Sequence, residues 1–276
     1  MNPPSTRPAS VRLRGLRTAL LRFGLAILSA AIVFGLWEVA ARAFKIPTYL
    51  LPPPSLIFTE LSQRLPRIFE HATVTTTSML LGYALGVAVA IPLAMALAYS
   101  RLFEATIYPA VVFLQIMPKI AIAPLFIIWF GFGMLPKVLL VFLLTFFPIV
   151  VSAVAGFKSC DADVIELARA TGASRLRVFM KVRFPSALPE IFTGLKVAAA
   201  LASTAAVVAE FVSSDAGLGY LLLTFNGELL TSMVFGTIIV LGVIGLALYY
   251  LMEFLERLLI PWHVAARGDQ STGQPV

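Results

Sequence analysis

The sequence contains very little cysteine and histidine. Cys160 is the only cysteine among 276 residues, so a disulfide framework is excluded. The two histidines, His71 and His263, lie far apart, and no His/Cys cluster has metal-ligand spacing. We therefore interpret the thiol as a small buried group and the histidines as interfacial polar side chains, and we predict no metal site.

Charged residues are also scarce. They make up 13% of the chain, whereas 59% of the residues are hydrophobic and the mean hydropathy is +0.93. Soluble domains average about 45–50% apolar and about 25% charged residues, so lipid is the predicted solvent for most of this chain. Because a spanning helix takes roughly 20 mostly apolar residues, the length allows several spans but no large soluble domain besides.

The apolar residues fall into six blocks, which predict an all-α integral membrane protein with six transmembrane helices. The predicted spans are approximately Phe23–Ala41, Thr76–Ala98, Ile107–Phe130, Val138–Phe157, Leu195–Val212 and Met233–Met252. The transmembrane domain would cover residues 23–262, between a basic, disordered tail at 1–22 and a second tail at 263–276. A cleaved signal peptide is the alternative for the first block; its basic part is long for one, and we favour an uncleaved helix.

The basic residues indicate the orientation of the chain. With the N-terminus inside, fourteen lysines and arginines lie in cytoplasmic segments. The outer segments hold only Arg42, Lys45, Arg64, Arg67 and Lys137. This imbalance predicts that both termini are cytoplasmic, and it accounts for the net charge of +7 without a nucleic-acid partner.

A polar outer segment from Arg42 to Thr75 separates the first two spans. Ser55 follows three prolines and is the expected N-cap of a helix. The apolar residues that then recur at helical spacing are Ile57, Leu61, Leu65 and Ile68. This pattern predicts an amphipathic helix lying flat at the membrane interface.

Small residues and prolines mark the predicted spans. Gly82 and Gly86 form a small-xxx-small pair on the second span, and the fifth is mostly alanine, which predicts a tightly packed bundle. Pro118, Pro124 and Pro148 can break or kink helices, as is common where a helix lines a pathway.

The inner segment from Lys158 to Glu190 is the longest polar stretch between spans. Asp161 and Asp163 suit a helix start, where carboxylates meet free N–H groups. Gly172 suits a left-handed helix end, and Ser174 can cap a second helix. The expected apolar face of that helix is Leu176, Phe179 and Met180, and Pro185 and Pro189 are expected to stop it before the fifth span.

The two short helices would present apolar surface that nothing nearby in the sequence covers. A protein partner would bury such a surface. An amphipathic hairpin lying on lipid headgroups is the alternative that the physical pattern leaves open.

The inner segment resembles the EAA loop of ABC importer permeases. That pattern reads Glu-Ala-Ala, three residues, Gly, nine residues and Ile-x-Leu-Pro. The residues that match it outright are Glu166, Ala168, Gly172 and Pro185, whereas Leu167, Val182 and Phe184 depart from it. The spacing is intact, and it lies in a predicted cytoplasmic loop.

The resemblance extends from about Leu51 to His263, and the motifs look like the subgroup that handles nitrate, taurine and alkanesulfonates. The segments that carry it include Leu51-Pro-Pro-Pro-Ser55, Pro124-Leu-Phe-Ile-Ile-Trp-Phe-Gly131, Ala209-Glu210 and Gly217-Leu-Gly-Tyr220. Thiamine-precursor pyrimidine importers are similar.

The resemblance implies an importer of the bacterial inner membrane. Two permease copies would pair in lipid, two cytoplasmic ATPases would bind below, and an extracytoplasmic binding protein would deliver substrate. In such an assembly the coupling loop, residues 158–190, would dock on the ATPase through Glu166, Ala168, Gly172, Ser174 and Pro185.

The chain itself is not predicted to be an enzyme or to bind a cofactor. Its nearest approach to a phosphate-binding loop, Gly156-Phe157-Lys158-Ser159, lacks the Gly-Lys pair and the upstream glycine. Mg-ATP is therefore expected on the partner ATPase.

Lys119 and Glu210 are ionisable residues inside apolar blocks, where charge is costly. Lys119 is predicted midway along the third span, facing the pathway and attracting an anionic substrate; pairing with a helix-end carbonyl or with Glu210 is the alternative. Glu210 is predicted near the outer end of the fifth span and is the second candidate residue of the translocation pathway. An ion-coupled secondary transporter remains a rival class, although no inverted repeat or acidic coupling site is evident.

Overall fold

The computed structural model describes residues 9–262, and all regular secondary structure in this part is helical. Side chains are described from Gly24 onward, apart from Ala26, Ile27 and Ser213. The α-helices are α1 Ala9–Ala43, α2 Pro54–Gln63, α3 Leu65–Tyr99, α4 Arg101–Ile116, α5 Ala123–Phe130, α6 Met134–Lys158, α7 Ala162–Ala170, α8 Arg175–Val178, α9 Phe184–Ser213, α10 Leu218–Gly227 and α11 Thr231–Leu259. A 3₁₀ turn, Lys119–Ile122, precedes α5, and a π turn, Phe179–Arg183, precedes α9.

Helices α3, α6 and α9 form the centre of the bundle, and α11 packs on α9. Small residues line their contacts, as predicted. A Cβ on Gly82 would lie 2.5 Å from Cβ of Val141, and one on Gly86 would lie 2.6 Å from Oγ1 of Thr145, so α3 touches α6 through these two glycines. The alanines of α9 that are completely or almost completely buried are Ala187, Ala198, Ala199, Ala202, Ala205, Ala206 and Ala209. Close backbone approach thus holds the bundle together.

Four helices of the described part are long and apolar enough to cross a membrane. They are Leu65–Tyr99, Met134–Lys158, Arg175–Val212 and Thr231–Leu259, and a bent pair gives a fifth candidate. They correspond to the predicted second to sixth spans. The predicted first span falls within α1, whose helix already begins at Ala9, inside the segment predicted as a disordered tail. The rest of that tail and the tail at 263–276 lie outside the described residues.

The predicted third span is not one straight helix. Helix α4 ends at Ile116, and the following segment, Lys119–Phe130, is bent away from it by 86°. Met117 is extended, with ψ of 142°, because the ring of Pro118 disfavours a helical conformation in the residue before it. The prediction of a proline break is therefore confirmed at Pro118, and that of a continuous span is corrected.

The outer segment also differs from its prediction. Pro53, not Ser55, is the N-cap of α2, and Pro54 occupies the first helical position, where its missing N–H is not needed. The Ser55 hydroxyl instead donates to Glu38 at 2.8 Å and ties α2 to α1. Ile57 and Leu61 pack on α11. The expected single amphipathic helix ends at Gln63, so its last two apolar positions belong to α3.

The prolines of the inner segment do not stop the second short helix. One helical path runs from Arg175 to Val212 through the π turn into α9. In the π turn the N–H of Phe184 bonds to the carbonyl of Phe179, five residues back. Pro185 follows at the start of α9, where the wider turn accommodates a residue that has no N–H and whose ring would crowd a regular helix.

Candidate coupling loop and translocation pathway

Helix α7 begins as its sequence predicts. The carboxylate of Asp161 accepts a hydrogen bond from the N–H of Asp163 at 2.9 Å, which satisfies one of the free donors of the first turn. Asp163 lies in that first turn, where a negative charge interacts favourably with the helix dipole. Ile165 is buried, so α7 contacts the remainder of the protein on one side.

The end of α7 is a Schellman motif centred on Gly172. Gly172 has φ of +80°. Its N–H donates to the carbonyl of Arg169 at 2.9 Å, and the N–H of Ala173 donates to the carbonyl of Ala168 at 3.4 Å. The geometry predicted for Gly172 is present. The carbonyl of Ala168 also accepts a hydrogen bond from the Thr171 hydroxyl at 2.8 Å.

Helix α8 starts at the predicted cap but buries only part of its predicted face. The Ser174 hydroxyl accepts from the N–H of Arg177 at 3.4 Å. Phe179 is buried and stacks on Phe157 of α6, with ring centroids 5.2 Å apart. Leu176 and Met180, expected on the same face, are exposed. Phe179 thus helps to anchor the loop to the bundle, together with the buried Val178.

An apolar surface is left open beside Glu166. The exposed apolar side chains of the two short helices are Val164, Leu167, Leu176 and Met180. Leu167, which departs from the EAA pattern, is 68% exposed. Its extra bulk is therefore accommodated outward and does not disturb the contact made by Ile165. Glu166 is exposed between these residues.

Replacing Gly172 with valine should impair the loop. A β-branched residue at φ of +80° is strained, by about 1–2 kcal/mol or more, and α7 would lose its defined end. We expect at least a severalfold drop in ATP-driven uptake at unchanged membrane levels. Gly172→Asn is the matched control, because asparagine tolerates this conformation. If the valine variant took up substrate as fast as the unmodified protein, transport would not require the left-handed turn.

Lys119 lies at the break between α4 and α5. Its ammonium donates to the carbonyl of Gln115 in the last turn of α4 at 2.5 Å and sits 4.9 Å from the ring centre of Phe147. The helix-end carbonyl considered from the sequence is thus its partner, and Glu210 is not. Lys119 also lines an open cavity of about 310 Å³ together with residues of α4, α6 and α9.

Glu210 is completely buried and joins three helices. Its carboxylate accepts from the Thr75 hydroxyl of α3 at 2.8 Å and from the N–H of Gly219 in α10 at 2.7 Å. The same hydroxyl accepts from the N–H of Leu218 at 2.8 Å. A buried carboxylate supplied with such donors fixes the segment before α10 against the bundle.

Three polar residues of this cluster were not predicted. His71 accepts from the N–H of Gly217 at 3.0 Å through Nδ1 and stacks on Tyr220. Lys137, assigned from the sequence to an outer loop, is 4% exposed and donates to the carbonyl of Ala216 at 3.0 Å. Thr75 is the third. The sequence feature that could have indicated this cluster is the pair of glycines in Gly217-Leu-Gly219, because glycines allow a carboxylate to approach the backbone closely.

A buried ion pair was also missed. Lys196 of α9 and Glu256 of α11 lie 2.7 Å apart, and both are largely shielded from solvent. The pair links two spans. The described hydrogen bonds of Lys119 and of Glu210 go to different partners, and none of these partners belongs to the coupling loop.

The bundle, with its broken span and projecting polar loop, is the architecture of a membrane transport subunit. The family described as "Binding-protein-dependent transport system inner membrane component" matches residues 82–262, and the chain belongs to this family. It is therefore the membrane-embedded permease of an ABC importer, not an enzyme, and the ATPase is a separate subunit.

Two curated relatives have similar length. The chain is 36% identical over 234 residues to the formylaminopyrimidine transport permease protein ThiX of Halalkalibacterium halodurans, covering 82% of this chain and 91% of the relative. It is 31% identical over 246 residues to the taurine transport system permease protein TauC of Escherichia coli, covering 87% and 90%. The resemblance to permeases of the sulfonate and taurine subgroup is confirmed.

A solved structure confirms the fold. The chain is similar to a chain of the inward-facing MetNI methionine ABC transporter, with a TM-score of 0.56 and 17% identity, over 72% of this chain and 97% of the other. The family favours ATP-driven import over the ion-coupled secondary transporter.

Proposed function

We propose that this permease imports a small anion of the nitrate, sulfonate or taurine class. The observation that carries the proposal is the ammonium of Lys119 at the lip of the cavity where α4 and α5 part. A cation in the lining of such a cavity lowers the free energy of an anion there and raises that of a cation. The relationship to TauC supports the same class.

The contacts of Lys119 leave it suited to this role. It is only partly buried, and its described partners are a neutral carbonyl and an aromatic ring. No described carboxylate is paired with it, so its positive charge is not neutralised within the chain. The carbonyl of Gln115 holds the ammonium in place at the end of α4, while two of its three N–H groups are left for a substrate.

A pyrimidine precursor is the second candidate. It is favoured by the 36% identity to ThiX. Uptake measurements with both substrate classes distinguish the two.

The Lys119→Met variant tests the anion proposal. Loss of one charge-assisted hydrogen bond should weaken the apparent affinity for taurine by about tenfold or more, while Lys119→Arg, which keeps the charge, should retain most of it. The measurement is the concentration dependence of radiolabelled taurine uptake. An unchanged affinity in Lys119→Met would eliminate the anion role, and uptake of a formylaminopyrimidine alone would favour the second candidate.

The assembly we propose places the chain in the bacterial inner membrane. It has six spans, with α1 as the first, and both termini are cytoplasmic. Two copies pair as a homodimer, two ATPases carry Mg-ATP, and an extracytoplasmic binding protein delivers the substrate. The family description, which names binding-protein-dependent transport, and the excess of cytoplasmic lysine and arginine support this arrangement.

In this assembly α7 is the contact with the ATPase. Glu166 pairs with a donor on the ATPase, Ala168 lets the two chains approach, Gly172 sets the angle between α7 and α8, and Ser174 fixes the start of α8. Because one helical path leads from Arg175 through the π turn into α9, closure of the ATPases would move α9 directly. Pro185 lies at the start of α9 on this helical path. ATP shifts the inward–outward equilibrium only by its different affinity for the two states.

A further inference from the structure

A basic cavity lies between the α3–α4 junction and the coupling loop. Its volume is about 620 Å³, and four arginines line it: Arg101, Arg169, Arg175 and Arg183. They come from the first turn of α4, the last turn of α7, the start of α8 and the end of the π turn. The described residues that line the cavity include no aspartate or glutamate. The fold thus gathers four positive charges from four separate elements around one space.

The positive charges are not neutralised within the described part of the chain. None of the four guanidinium groups forms an ion pair or a side-chain hydrogen bond with a residue between 24 and 262. The nearest acid in α4, Glu104, is paired with Lys158 of α6. Like charges held close together repel one another, so an anion in the cavity would remove an unfavourable interaction.

The chemistry of the lining favours phosphate. Guanidinium groups present planar pairs of N–H donors that match two phosphate oxygens at once. Tyr99 and Ser100 add hydroxyl groups to the lining, although that of Ser100 already caps α4. Arg183 is partly buried and is held by the π turn, a backbone feature frequent at functional sites.

We propose that this cavity is a binding site for a phosphate-bearing anion. The phosphate can belong to the headgroup of an anionic lipid or to a free soluble ion. Basic pockets on the cytoplasmic side of membrane proteins recognise lipid headgroups in this way. The cytoplasmic position follows from the orientation proposed above, but the phosphate chemistry does not depend on the transported substrate.

Binding to the purified full-length chain tests the site. Native mass spectrometry in detergent would titrate short-chain phosphatidylglycerol, the zwitterionic phosphatidylcholine of equal chain length, and inorganic phosphate. We expect one phosphatidylglycerol per chain, bound about tenfold or more weakly in the Arg101→Gln/Arg183→Gln double variant. If inorganic phosphate binds and the double variant weakens its binding, the site takes the free ion. If phosphatidylglycerol binds but inorganic phosphate does not, the site takes lipid.

The matched control is the Lys181→Gln/Arg257→Gln double variant. It removes two positive charges on the same predicted side of the membrane but outside the cavity. It should bind as the unmodified chain does. Arg175→Gln, at an exposed position, gives a second reading if the double variant fails to fold. The proposed site would be refuted if the control weakened binding as much as the double variant does. It would also be refuted if both arginine variants bound both probes as tightly as the unmodified chain.

Discussion

Replacing Glu166 with lysine is expected to abolish ATP-driven uptake while leaving membrane insertion intact. Glu166 is exposed on α7, forms no side-chain hydrogen bond or ion pair with a described residue, and is flanked by exposed apolar side chains. The substitution therefore removes nothing from the fold. At the proposed contact, however, it reverses a charge facing a donor group of the ATPase, and like charges brought together in an interface cost several kcal/mol.

The measurement is uptake of labelled substrate alongside co-purification of the ATPase with the tagged permease. Glu166→Gln should retain partial function because it keeps an acceptor oxygen. Glu70→Lys is the matched control: it makes the same change at an exposed helical position of α3, on the opposite predicted side. Normal uptake with the ATPase still bound in Glu166→Lys would refute the docking role of α7.

The helical class and most spans could be predicted from the sequence because they depend on local properties. An apolar run of about 20 residues has few alternatives to a helix in lipid, where every backbone polar group must be satisfied internally. The ends of α7 were equally predictable. Capping by Asp161 and the left-handed turn at Gly172 involve only residues that are neighbours in sequence.

The effect of individual prolines was harder to predict. Pro118 breaks the third span, whereas Pro185 is accommodated at the start of α9 and Pro148 lies within α6 without ending it. A proline always removes one donor, but the outcome depends on the preceding turn. A π turn relieves the strain before Pro185, and an extended Met117 precedes Pro118.

The candidate pathway and the polar cluster depend on contacts between distant residues. Lys119 could be assigned a helix-end carbonyl as one of two alternatives, because Gln115 is only four residues away. Thr75 and Glu210 are 135 residues apart, and no periodicity connects them. Lys137 looked like an outer-loop cation, yet its ammonium reaches the carbonyl of Ala216 inside the protein.

The Glu210 cluster predicts a second large effect, on stability. Replacing Gly217 with alanine should destabilise the fold severely. Its φ is +122°, and an added Cβ would lie 2.3 Å from the Glu210 carboxylate, whose position is fixed by Thr75 and Gly219. Backbone strain of about 1–2 kcal/mol and overpacking of about 1–3 kcal/mol would act together. The carboxylate could move only by leaving buried donors unpaired, at a further cost of about 1–3 kcal/mol.

The midpoint of thermal denaturation in detergent measures this effect, with the yield of monodisperse protein as a second reading. Gly227→Ala is the matched control, because Gly227 ends the same helix α10, has no atom within 4 Å of an added Cβ and does not have positive φ. We expect a midpoint close to that of the unmodified protein for Gly227→Ala and a marked loss of folded protein for Gly217→Ala. Equal midpoints would mean that α10 can shift away from Glu210, and the carboxylate would then not hold α3, α9 and α10 in one fixed arrangement.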